Sequence, residues 1–559
     1  MEKRVFRNIL IFGTLLVSFF FSASFAFADN IGDQKTFFVN SRYDEFSRTV
    51  ISATLRNVSN NAYFYIDDRY WAGLNQLEKN MFVTSMHELG RQFDDNIYPK
   101  ETQFFGSESN PGIDNDPRIT VLVEDLKRGN GGYFETANLH PKKLVSESNE
   151  REMVAISAEM ANSLGKIFLA HEFQHLISFN QKELKINLSE DVWLNELRSE
   201  YAVTLVGYND IFKDSNLEQR LNTFLSDLSD SLTEWPNVPL DYGYVNVFGE
   251  YLAEQFGPEI ISETMRTNKV GIDSINQYFQ SRNMPDRFSS VFGTWLAADY
   301  LNNANFDKKF GYQRNGFQNF RVNPEQYLLA YPGSYQLNLN LKPWMGSWHQ
   351  FNLYYPLTGQ MGMPEDKALK VNFNSQDGFR LWYIDNLGNF GELSNGGTIT
   401  NKGGLNYAVL MPVNESKISN FTENDSSVVF SANIEFVDIP VKLILKDGDL
   451  IKKSREAETY VIEGSYKRYL RPEVIALYGH LDPSKAIEVD NETFNSYVTA
   501  NYVRNISEQK VYAVWPDGTK HWLHMSADYF TQSGRDWNAI FIINDLELNH
   551  YKTGADIVR

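Results

Sequence analysis

The spacing of apolar residues changes character twice along this chain, and each change limits what the segment can become. Up to about residue 157, short apolar runs bounded by turn-forming clusters read as strands, at Ala62 to Asp67, Arg118 to Val123 and Met153 to Ile156. A helical pattern starts near Leu74, and Gly112-Ile113-Asp114-Asn115-Asp116-Pro117 reads as a turn. From Ala158 to Asn303 the period is helical almost throughout. Strands first and helices second imply an α+β domain with segregated halves. From about Tyr312 short strand-like runs return, at Tyr335 to Leu341, Leu369 to Phe373, Leu381 to Ile384, Tyr407 to Met411 and Val428 to Phe436, as in an all-β sandwich. At 559 residues the chain exceeds one core, so an α+β multidomain protein is expected. Its segments are 1–28 as a signal peptide, 29–310 as the α+β domain, 311–440 as the sandwich, and 441–504 and 505–559 as two small α+β repeats.

The repeats rest on internal similarity. Ala476 to Arg504 aligns with Thr531 to Arg559 when each copy takes a one-residue gap, which pairs Gly479 with Gly534 and Tyr497 with Tyr551. Upstream, Tyr460 to Leu470 parallels Tyr512 to Leu523. Tyr497, Trp515, Trp522, Trp537 and Tyr551 read first as repeat core. A glycan or cell-surface platform is their alternative use.

Lys3, Arg4 and Arg7, then the apolar run Ile9 to Phe21, then Ala26-Phe27-Ala28 before Asp29, form the pattern of a secretory signal. A secreted, extracellular protein is expected, with cell-surface association open to it through the repeats. No later run is long and apolar enough to span a bilayer, so no stable membrane insertion is expected after signal cleavage. There is no cysteine, which removes disulfides, thiol catalysis and thiolate metal sites. Any metal site must use His, Asp and Glu. The balance of 52 basic against 71 acidic residues, with no basic block, argues against a nucleic-acid partner.

Within the helical stretch, a run from about Asn162 to Asn180 contains His171-Glu172-Phe173-Gln174-His175. Positions i and i+4 share a helix face, so both imidazoles can reach one ion. Glu172 projects about 100° round the helix, beside the ion, where a base can take a proton from water. Chance produces such a pentapeptide in about one comparable chain in a hundred, so a second element has to decide. That element is Trp193-Leu194-Asn195-Glu196-Leu197-Arg198-Ser199-Glu200-Tyr201. Glu196 and Glu200 are again i and i+4, and residues 176–195 are enough for the chain to turn back. Glu196 then completes a His₂Glu site with its fourth position open for water. Glu200 takes the ring N–H of His171 and fixes its tautomer.

Together these residues resemble the gluzincins, the thermolysin-like zinc peptidases, with H-E-x-x-H followed by N-E-x-x-[S/A]-[D/E]. Among them the stretch Ala170 to His175 is most similar to the hyicolysin family of secreted bacterial neutral peptidases. The resemblance spans about Phe37 to Asn303 and does not reach the sandwich or the tail. It implies a thermolysin-like catalytic domain with a mixed-sheet half and a helical half, Zn²⁺ as cofactor, and protein or peptide substrates. It also implies a tyrosine that donates its phenol to the tetrahedral intermediate. Tyr242, ten residues before Leu252, fits that place better than Tyr244. Gly131 to Phe134 lies where the family has a substrate-binding edge strand, which makes Gly132 and Tyr133 the substrate-binding candidates. No Gly-x-Met-x-Asn run precedes His171, so the resemblance points to an endopeptidase over an aminopeptidase.

Other features are set aside. His87-Glu88-Leu89-Gly90-Arg91 has arginine where a second histidine is needed. His521 and His524 stand where the first repeat has Arg468 and Arg471, and Asp114 to Asp116 is turn chemistry before it is a calcium site. The alternative from another class is a secreted adhesin or binding scaffold with an inactive peptidase-like domain and working C-terminal repeats.

Overall fold

Continuous apolar runs and full burial coincide at two central strands. In a computed structural model, which describes residues 28–558 except 163, 357–358, 365, 376–377, 402, 440–444 and 454–455, Ala62–Asp67 and Ile119–Glu124 are buried at every position. Both faces of such strands are covered, so neither face needs polar residues. The expected signal segment, Ala28 aside, lies outside the described residues. The chain divides into two compact units, 1–187 and 188–559.

The first unit holds a six-stranded mixed sheet of β1 (Gln34–Phe38), β2 (Val50–Val58), β3 (Ala62–Asp67), β4 (Ile119–Glu124), β5 (Gly132–Phe134) and β6 (Met153–Ser157). Its order is β1-β2-β3-β4-β6-β5; β3–β4 and β4–β6 are parallel, and β5 runs antiparallel to β6 at the edge. The helices are α1 (Asp68–Gly73), α2 (Gln76–Gln92), α3 (Tyr98–Phe105) and α4 (Gly165–Ser178). Asn75 and Glu78 close a reciprocal cap at the start of α2, which satisfies two otherwise orphaned amides. α4 packs on β5 and β6, with Leu169, Ala170, Phe173, Leu176 and Ile177 buried. Phe37, Tyr63, Tyr65, Leu122 and Tyr133 belong to one apolar cluster.

Two buried carboxyls tie this unit to pH. Burial pushes Glu124 up to about 8, against a hydrogen bond from Tyr133, and Glu152 up to about 7, against one from the Ile113 amide. Unfolded, both ionise near 4.5; folded, they keep their protons longer. The folded state therefore loses relative stability as pH rises from about 4.5 through 8. Thermal unfolding is expected at a higher temperature at pH 5.5 than at pH 8.5, and the reverse order would contradict the burial of these groups.

The second unit opens with helices α5 (Val192–Leu205), α6 (Asn216–Ser226), α7 (Pro239–Phe256), α8 (Glu259–Glu263), α9 (Gly271–Ser281) and α10 (Phe288–Leu301). α7 packs on both α5 and α6. Gly293 of α10 lies under the Trp382 indole, so close that a β-carbon there would stand 2.3 Å from the ring. Trp382 belongs to a sandwich whose sheets face each other across Phe351, Leu369, Leu381 and Phe430. One sheet includes Glu325–Ala330, His349–Tyr355, Phe379–Asp385, Phe390–Leu393 and Tyr407–Asn414; the other consists of Ser334–Leu341, Lys367–Phe373, Gly397–Thr400 and Val428–Asp438.

Two copies of one module follow. Leu450–Lys453, Thr459–Glu463, Tyr466–Leu470, Ile487–Val489 and Val498–Thr499 build the first sheet. Tyr502–Asn505, Val511–Val514, Thr519–His524, Ile540–Ile543 and Lys552–Thr553 build the second in the same order and directions. The second sheet begins at Tyr502, ahead of the boundary expected at 505, because Val503 and Arg504 pair with Tyr512 and Val511 and with Phe541 and Ile542. The copies share a core that includes Leu470, Val474, Val503, Ile543 and Leu548. Within it Arg468 of the first copy bonds Glu547 of the second at 2.5 Å and 3.2 Å, and Tyr478 and Tyr551 also donate to Glu547. Glu547→Ala strands a buried guanidinium, so a loss of about 3–5 kcal/mol from the modules is expected in denaturant unfolding. A change below about 1 kcal/mol would contradict the pair's burial.

Candidate metal centre

α4 brings the two histidines together as their spacing requires. His175 is buried and His171 half-buried, and their Nε2 atoms stand 3.3 Å apart with ring planes at 76°. Two ligands about 2.05 Å from one tetrahedral ion would be separated by about 3.3–3.4 Å, so the pair fits a shared zinc. Phe134 of β5 stacks on His175 at 6.3 Å. Glu196, the expected third donor, is a half-buried carboxylate on α5. The donors are two imidazoles and a carboxylate, a borderline-soft set suited to zinc.

Glu172 is buried and lies against the edge strand. A β-carbon at Gly132 would come within 2.9 Å of Glu172 Cγ and Oε1 and within 2.7 Å of the Ala155 carbonyl oxygen. Only glycine lets the two segments approach so closely. The Ser157 amide donates to the Gly131 carbonyl at 2.9 Å, and Tyr133 pairs with Ala155. By the alternation of an antiparallel ladder, the amide and carbonyl groups of Gly132 and Phe134 therefore point away from β6. Tyr133, named with Gly132 as a substrate contact, takes a different place. Its ring is buried against Tyr43 at 5.0 Å, and its hydroxyl donates to Glu124 at 2.7 Å, so it sets the strand in the sheet. Gly132→Ala is expected to push Glu172 aside or part β5 from α4 and so to lower the melting temperature; an unchanged melting temperature would contradict the close contact.

In the second unit, α5 carries Glu196 half-buried and Glu200 buried. Arg220 of α6 grips Glu200 with Nε at 2.9 Å and Nη2 at 2.7 Å, while Asn216 and Asn246 donate to it at 3.0 Å and 3.2 Å. Burial disfavours the charge on Arg220, but Glu200 and, more weakly, Glu196 raise its pKa overall. Arg198 is engaged elsewhere, bonding Glu190 at 2.8 Å. The Arg220 guanidinium also lies 4.7 Å from the centre of the Tyr242 ring. Tyr242 is half-buried, packs edge-on to Trp235 and donates to Asn237 at 2.9 Å. Tyr244, by contrast, is fully buried beside Phe224 and donates to the Asp227 carbonyl, which makes it a core residue.

Two participants escaped the sequence reading. Arg220 follows Glu200 on a separate helix and belongs to no motif. Glu101 of α3 is fully buried with no hydrogen-bond partner for either carboxylate oxygen among the described residues. Burial raises its pKa well above the ordinary value, and His171 is the charge that opposes the shift. The features set aside have structural uses. Arg91 pairs with Glu88 at 2.6 Å, His521 stacks on Trp515 at 3.8 Å, and the Asp116 amide donates to Asp114 within its turn.

Over 368 residues the chain is 25% identical to the neutral metalloprotease ShpI of Staphylococcus hyicus, across 60% of this chain and 74% of that protein. The chain is a distant relative of a metalloprotease. No protein-family model matches it. Among solved structures, the PliG inhibitor of g-type lysozyme from Salmonella Typhimurium aligns over 20% of this chain and 99% of its own, at 11% identity. Its TM-score of 0.15 carries no argument about the fold. No helix among the described residues is long and apolar enough to cross a membrane.

Proposed function

We propose that this chain is a secreted zinc-dependent endopeptidase. The paired imidazoles of His171 and His175 carry the reading, with Glu196 as the proposed third ligand, and the distant relationship to a metalloprotease supports it. When bound by these residues, zinc would supply a Lewis acid able to lower the pKa of a water toward about 7 and to polarise the scissile carbonyl.

The chain's own residues do the rest. Gly132 and Phe134 offer their outward amides and carbonyls to an extended peptide, which joins the sheet as a further strand. The close approach of Gly132 to Glu172 sets the scissile bond beside the base. Glu172 takes the proton of the attacking water and returns it to the leaving amine nitrogen. Tyr242 donates its phenol to the oxygen on which negative charge develops. Glu200, held by Arg220, Asn216 and Asn246, takes the ring N–H of His171 and keeps its Nε2 free as a ligand.

Mass spectrometry of products from a mixed peptide library tests this reading. Cuts within peptides that stop on adding a chelator are expected. Removal of single N-terminal residues alone would overturn endopeptidase action.

A further inference from the structure

The two C-terminal modules provide an internal comparison that separates what the module fold needs from what one copy adds. Asp482 and Asp536 each cap the short helical turn that follows them, so Pro483 and Trp537 occupy equivalent places. Tyr469 and Trp522 likewise stand opposite Tyr460 and Tyr512 in the same strand pair. The first module builds the same sheet without either tryptophan, so the fold does not require them.

Trp537 is 48% exposed, a costly state for an indole, yet it is held in place. Its ring packs on Phe530 at 4.4 Å, and its Nε1 donates to Thr531 at 3.0 Å. Together with Trp522 it lines a groove of about 390 Å³. The rest of its lining is part apolar, and Glu508, Gln509, Lys510 and Ser526 are its polar groups. These groups offer donors and acceptors together, and their formal charges cancel, although the whole chain carries −19. Tyr551 is buried and serves as core, so the aromatics of the tail divide between two uses.

We propose that this groove binds a neutral polysaccharide, with a pyranose ring laid on Trp537 and its hydroxyls bonded to the surrounding side chains. A sugar ring presents C–H bonds on its face and hydroxyls at its edge, which matches an aromatic wall with a mixed polar rim. A polyanionic chain would meet an acidic protein and find no excess of cations at the groove. The inference stands independently of the peptidase reading.

Co-sedimentation of the full chain with insoluble chitin and with cellulose tests it, followed by tryptophan fluorescence with soluble chitohexaose and cellohexaose. Retention on at least one polymer and saturable quenching by its hexamer are expected. Trp537→Ala should weaken binding about tenfold, while Trp537→Tyr should restore most of it. Gln509→Ala, an exposed change that spares the packing, should weaken binding with an unchanged melting temperature. The proposal is overturned if the wild type stays in solution with both polymers. It is also overturned if both Trp537→Ala and Gln509→Ala bind as tightly as wild type.

Discussion

Replacing Glu172 with glutamine is expected to lower peptide hydrolysis by about 10²–10⁴-fold and to leave one zinc per chain in place. The amide keeps the shape of the acid, so it preserves the packing against Gly132 and the close approach of β5 to α4. None of the three proposed ligands changes. What is lost is a group able to take a proton from water and hand it to the amine. Metal analysis and a casein assay on the same preparation separate the two effects. Activity within tenfold of wild type would sink the assignment of Glu172, and loss of zinc would move Glu172 among the ligands.

Glu196→Ala should fail in the opposite way, losing zinc and activity together. Structural zinc sites with four ligands bind with about 10–16 kcal/mol, so one ligand carries about 3 kcal/mol or more, about two orders of magnitude in affinity. The two imidazoles, 3.3 Å apart on one helix, remain and keep a weak site. Zinc content after dialysis should therefore fall well below one per chain and recover only at high added zinc. Full occupancy after dialysis would show that another group is the third ligand. Comparing the two variants distinguishes chemistry from coordination, which neither does alone.

The parts of the fold legible in sequence were those whose pattern is local. β3 and β4 stand out because strands buried on both faces are mostly apolar, with only Thr120 inside the run and Asp67 and Glu124 at the ends, and α4 because its histidines keep helical spacing. β1 and β2 were not singled out, since Gln34, Lys35 and Thr36 in one and Arg56 and Asn57 in the other dilute the apolar pattern. β5 has three residues, too few for any period, and Gly132 with Gly131 before it suits a turn as well as a strand. Glu101 and Arg220 were invisible for a different reason: what they touch depends on packing between helices. The inward turn of the Tyr133 ring follows from the register of β5, which a single residue's shift would reverse. That the module fold does not need Trp537 likewise emerged only from comparing two folded copies of the module.

Casein hydrolysis by the full chain, before and after removal of metal with a chelator and after zinc is returned, tests the central claim most directly. A peptidase built on His171, His175 and Glu196 should lose its activity on chelation and regain most of it with about one equivalent of zinc. Hydrolysis that continues undiminished in metal-free protein would contradict it.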